Sequence, residues 1–106
     1  MAGLNGKVYA VGGFDAAGAP VATVEVYDPS TNSWTQRASL PAPLHHLNVA
    51  AVGDRLYVVG ALSGANFTAV GTTLAYDPAA DRWTAFTPMP SGTERGASGV
   101  AIVGTR

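Results

Sequence analysis

The chain has 106 residues, 47% of them hydrophobic and 12% charged, with 13 glycines, 7 prolines and no cysteine. A net charge of −1 supplies no field that would gather nucleic acid or an anionic membrane. The missing cysteine removes a disulfide framework, a thiol nucleophile and a Cys-based zinc site together.

Short apolar runs punctuated by glycine and other small residues predict a turn-rich, all-β chain with room for one domain. Met1-Ala2-Gly3-Leu4-Asn5-Gly6 lacks a basic region followed by an apolar core, so no signal peptide is expected. No apolar run approaches the roughly 18 residues that span a bilayer, and a soluble chain is expected. The segments that follow show no helical period and read as strands. In chain order these are 7–11, 23–27, 34–37, 47–52, 55–59, 73–76, 83–86 and 99–103. Gly53-Asp54 supplies a tight turn, and Asp28-Pro29 and Asp77-Pro78 open two others, with aspartate as acceptor and proline presetting φ.

The segments repeat. Val8-Tyr9-Ala10-Val11-Gly12-Gly13 returns as Leu56-Tyr57-Val58-Val59-Gly60-Ala61, 48 residues on. Tyr27-Asp28-Pro29 with Trp34 returns as Tyr76-Asp77-Pro78 with Trp83, 49 residues on, and Leu40-Pro41 as Met89-Pro90. The stretch from Val49 to Arg55 returns from Val100 to Arg106. Labelled A to D by their place in the repeat, the strands run BCD-ABCD-A, with an A strand at 99–103 and none before Val8.

A hydrophobic strand ending in glycines, a tyrosine about 14 residues later and a tryptophan seven beyond it resembles the Kelch motif. Gly12, Gly13, Tyr27 and Trp34 carry it in the first repeat, and Gly60, Tyr76 and Trp83 in the second. The resemblance implies a β-propeller with blades of four antiparallel strands. It covers 1–106 as one Kelch-repeat region, with repeat 1 at about 4–46, repeat 2 at about 47–96 and a third beginning at 97–106. Two positions depart from the pattern: Ala61 replaces a glycine, and Leu44 stands where many Kelch repeats carry the arginine that Arg95 retains. The recurring tyrosines and tryptophans are expected to fill the gaps between blades.

Two blades cannot close a ring, because propellers use about four to eight. The partners implied are other copies of this chain, lending strand 99–103 to one another, or further blades of a longer chain. Three copies would make six blades. The face carrying the B–C and D–A loops, where Kelch domains usually bind, would present Phe14, Asp15, His45, His46, Asn66, Phe67, Glu94 and Arg95. The B–C loops are expected to be long. His45 and His46, entering a strand, should point in opposite directions, one packed and one exposed, and not hold a metal together. Asp28, Asp54, Asp77 and Asp81 read as turn formers, and Asn66-Phe67-Thr68 matches a glycosylation sequon. The alanine-rich style looks bacterial.

No nucleotide-binding, serine-hydrolase or zincin motif is present. The resemblance therefore implies a non-catalytic scaffold for protein or glycan recognition, with no cofactor and no metal. The alternative is a piece of a Kelch-like sugar-modifying enzyme. An oxidase of that kind would need a cysteine joined to a tyrosine, and an epimerase would have only Glu94 and Arg95 to work with.

Overall fold

The computed structural model describes residues 1–104, so the last two residues of the expected third repeat lie outside the described residues. The eight strands are β1 (Ala2–Leu4), β2 (Lys7–Val11), β3 (Val24–Asp28), β4 (Ser33–Arg37), β5 (Val49–Val52), β6 (Arg55–Ser63), β7 (Thr68–Asp77) and β8 (Arg82–Phe86). They form two four-stranded sheets, β1-β2-β3-β4 and β5-β6-β7-β8, with every pairing antiparallel. These are two complete propeller-type blades.

The expected order BCD-ABCD-A is thereby corrected to ABCD-ABCD. The first blade takes its inner strand from Ala2–Leu4, closed onto Lys7 by Asn5-Gly6 with φ of 53° and 76°. Two successive positive φ values give the mirror-image turn whose twist suits a two-residue hairpin, and Asn-Gly is the pair that tolerates it. Residues 99–103 form no strand. They pair with no described strand, and an extended segment is assigned to a sheet only through such pairing. Val100 and Ile102 instead lean toward Ala50, Val52, Tyr57 and Val59 across a cavity of about 440 Å³.

The second B–C connection is also shorter than expected. In blade 1, Gly12 and Gly13 both have positive φ (60° and 100°), and the chain leaves the sheet for a long loop. In blade 2 only Gly60 does (80°); Ala61 rejoins the ladder past a bulge, and β6 and β7 continue into a hairpin turning over 64–67. Alanine cannot follow glycine into the left-handed region without strain, so the ladder resumes.

The core lies between the blades. The side of blade 1 bearing Leu4, Tyr9, Val11, Val24 and Val26 packs on the side of blade 2 bearing Leu56, Val58, Leu74 and Tyr76, all buried. A polar clamp closes the outer rim of this junction. The buried Tyr76 hydroxyl donates to Asp81 Oδ1 at 2.7 Å and accepts from Arg37 Nε at 3.1 Å. Arg37 Nη2 reaches the Pro78 carbonyl at 3.0 Å, Ala38 N donates to Asp81 Oδ1 at 2.8 Å, and Trp83 Nε1 donates to the Ala38 carbonyl at 2.9 Å. Burial and donation to Asp81 push the Tyr76 hydroxyl up to about 12, while that bond and the Ala38 amide hold the Asp81 carboxyl below its usual range. Asp81 therefore does more than form a turn; it ties two blades together.

Of the recurring aromatics, Tyr76 and Trp83 fill the gap between blades as expected, with rings 5.0 Å apart. Tyr27 and Trp34 lie on the outward side of blade 1, where Trp34 is 55% exposed, because the described chain places no blade against that side. The equivalents of Tyr9 and Val11, which the junction buries, are Tyr57 and Val59 on the outward side of blade 2, and Val59 is 45% exposed.

Candidate functional site

The loop end of the two blades gathers half of the expected site residues into one cluster. Phe14 comes from the β2–β3 loop, His45 and His46 from the link between β4 and β5, and Phe67 from the β6–β7 turn. Ring centroids are 4.4 Å apart for Phe14 and His45, 4.7 Å for His45 and Phe67, 5.2 Å for His46 and Phe67, and 5.9 Å for Phe14 and Phe67. The cluster straddles the blade junction, so docking of the blades is what assembles it. His45 is wholly buried and also pairs with the β6 extension through main-chain bonds to Leu62. His46, Phe14 and Phe67 remain exposed.

The two histidines do not point apart. His46 has φ of 49°, which interrupts the alternation of an extended chain, and its ring turns to the same side as that of His45. The Nδ1 atoms lie 2.7 Å apart, and His45 Nε2 lies 2.9 Å from the Gly64 carbonyl oxygen. The backbone bend itself belongs to the repeat, since Ala97, the equivalent of His46, has φ of 53°. The next repeat carries Gly96-Ala97 at this place, so the backbone does not require the imidazoles. Among the described residues, no group of three or more His, Cys, Asp or Glu side chains could hold a metal ion.

The other expected site residues serve their own loops. Asp15 Oδ1 accepts from Ala17 N and Ala19 N, both at 2.9 Å, and shapes the β2–β3 loop. Asn66 is exposed in the β6–β7 turn beside Phe67. The Glu94 carboxylate accepts from Gly92 N at 2.9 Å, and Arg95 Nη1 donates to the Thr93 carbonyl at 3.0 Å. Among the described residues, no hydrogen bond or ion pair joins the side chain of Glu94 or Arg95 to the aromatic cluster; each is held by its own loop. Leu44, in the position that Arg95 occupies one repeat later, is buried, and its carbonyl accepts from Gly13 N at 2.8 Å.

Asn48 has a role that sequence reasoning missed. Buried at the entry to β5, it donates to the Val59 and Arg95 carbonyls and accepts from Ser98 N at 2.8 Å. It thereby fastens the segment after β8 to blade 2. A polar residue between Leu47 and Val49 was the available signal, because a buried amide is retained where its hydrogen bonds are met.

The Kelch motif model matches residues 1–41, which includes β1. Similar sequences include Kelch-like protein terF of Aspergillus terreus, 40% identical over 83 residues, covering 76% of this chain and 18% of that protein. Kelch-like protein 35 of Mus musculus is 38% identical over 92 residues, covering 85% of this chain and 15% of that protein. Alpha-scruin of Limulus polyphemus is 31% identical over 100 residues, covering 92% and 11%. The chain therefore spans less than a fifth of the length of each of these curated relatives. Among solved structures, that of YjhT superposes with a TM-score of 0.69 at 17% identity, over 84% of this chain and 37% of that one, a likeness of fold. With two complete blades, paired glycine, tyrosine and tryptophan positions and these relatives, the chain is a Kelch-repeat segment of β-propeller architecture.

Proposed function

We propose that this Kelch segment is a non-catalytic recognition scaffold whose loop end binds a protein partner. One observation carries the proposal: Phe14, His46 and Phe67 arrive from three connections and stand exposed together, although the fold asks for none of them. Large apolar rings on a polar loop end commonly mark an interaction surface. The test is to pan a displayed peptide library on the chain and to screen a glycan array beside it. Peptides should be enriched that bind the chain and lose binding to the Phe14→Ser/Phe67→Ser variant. Glycan hits without peptide hits, or peptides that bind the variant equally, would overturn the proposal.

A second observation supports completion of the ring by further copies. At the internal junction Arg37 faces Asp81. The repeat equivalents on the two outward sides are Phe86 and Asn32, both uncharged and both exposed. The equivalence is set by register, since Arg37 pairs with Val24 and Phe86 with Thr73. Both charges are absent together, so the outward side of blade 2 suits the outward side of blade 1 in another copy; three copies would give six blades. Light scattering should give three times the 10.7 kDa chain mass, reduced to a single chain by Phe86→Asp. A folded single chain for the unaltered protein would refute this assembly.

A further inference from the structure

The hydrogen atoms of the His45–His46 pair are fixed by the group at its inner end. The Gly64 carbonyl can only accept, so His45 Nε2 carries the hydrogen of that 2.9 Å bond. A neutral imidazole has one N–H, which leaves His45 Nδ1 bare. The 2.7 Å contact between the Nδ1 atoms then requires the hydrogen on His46 Nδ1. The reverse polarity would need a doubly protonated His45. That would place a cation in a wholly buried ring with no carboxylate salt-bridged to it among the described residues, at a large desolvation cost. His46 therefore has a bare Nε2 lone pair, with no hydrogen-bond partner among the described residues, on an exposed ring beside Phe67 (5.2 Å) and Phe14 (5.9 Å).

We infer that this corner captures a tryptophan side chain of a partner polypeptide, the indole lying on the Phe14 and Phe67 rings and its N–H donating to His46 Nε2. The inference rests on the loop-end binding proposed above and specifies its chemistry. The surface offers aromatic area and one directed acceptor. Indole combines a large flat ring with a single donor and no acceptor. A phenylalanine would leave the acceptor unmet, and a lysine or arginine would bring a charge to an acceptor that is a neutral imidazole nitrogen.

The experiment titrates N-acetyltryptophanamide and its 1-methylindole analogue into the chain at pH 8, followed by ¹⁵N and aromatic NMR. The analogue keeps the ring and lacks the donor. The parent ligand should bind about five- to tenfold more tightly, the worth of one net hydrogen bond. That preference should vanish in His46→Phe, which keeps a ring and removes the acceptor. In the free chain, the imidazole nitrogens should show His46 bare at Nε2. Equal binding of the two ligands, or a hydrogen on His46 Nε2, overturns the inference. If both ligands still shift the Phe14 and Phe67 signals, the loop end remains a binding surface; if neither shifts them, that proposal fails as well.

Discussion

Tyr76→Phe isolates what the junction clamp contributes. The substitution removes one oxygen and keeps the buried ring between Tyr9 and Trp83, at centroid distances of 5.9 and 5.0 Å. Two hydrogen bonds disappear, the donation to Asp81 and the acceptance from Arg37. Bonds with a charged partner contribute about 1.5–3 kcal/mol net each when well buried. Arg37 and Asp81 are 32% and 45% exposed and within 3.5 Å of each other, so water and their mutual contact recover part of the loss. Arg37 also keeps its bond to the Pro78 carbonyl. The expected cost is about 1.5–2 kcal/mol for the pair together. Urea unfolding followed by the fluorescence of Trp83, in a Trp34→Phe background, measures it where the blades meet. Asp81→Asn should cost less, because asparagine keeps an acceptor and tolerates the left-handed backbone, as Asn32 does at φ of 50°. The double variant should fall short of the sum. Tyr76→Phe indistinguishable from the unaltered protein, or strict additivity with Asp81→Asn, would show that the clamp does not hold the blades.

Raising pH should weaken the chain through the same hydroxyl. Its folded pKa is raised from 10.0 to about 12, so the stabilisation is complete below pH 10 and is lost between pH 10 and 12, at a slope approaching about 1.4 kcal/mol per pH unit. Unfolding midpoints over this range should fall more steeply for the unaltered protein than for Tyr76→Phe; parallel curves would contradict the assignment. Gly60→Ala should cost roughly 2–4 kcal/mol, since the left-handed backbone (φ +80°) resists a side chain and a Cβ there would press on the Arg95 carbonyl. Gly64→Ala, also left-handed but facing open space, should cost only about 1 kcal/mol. Equal losses by thermal denaturation would remove the steric argument.

The repeat was legible because the residues that define it are large, rare or conformationally special: Gly12 and Gly60, Tyr27 and Tyr76, Trp34 and Trp83. The first inner strand was not legible because three residues, Ala2-Gly3-Leu4, carry almost no periodic signal. Asn5-Gly6, the strongest short hairpin signal in the chain, was the clue. Residues 99–103 show the converse error. Their sequence matches β5, but sheet membership depends on a neighbour, which no strand sequence contains by itself. The site was legible as a set of loop residues and not as a constellation. Phe14, His45, His46 and Phe67 meet because two sheets dock, and one backbone angle at His46 reverses the direction its ring would take in an extended chain. Asp15, Glu94 and Arg95 carried the same sequence signal, yet local backbone groups satisfy them.

Among the described residues, every ladder between named strands joins strands that are consecutive in the chain. Each blade can therefore zip up through short loop closures, the regime in which folding is fast, whereas docking must bring together residues as distant as Arg37 and Tyr76. This predicts two separable events, with the ladder of a blade able to form before its neighbour arrives. Amide exchange would reveal the order. In Tyr76→Phe the β2–β3 ladder should stay protected while the Ala38 amide, bonded across the junction to Asp81, exchanges sooner. Simultaneous loss of protection at both places would mean that the two blades fold only as one unit.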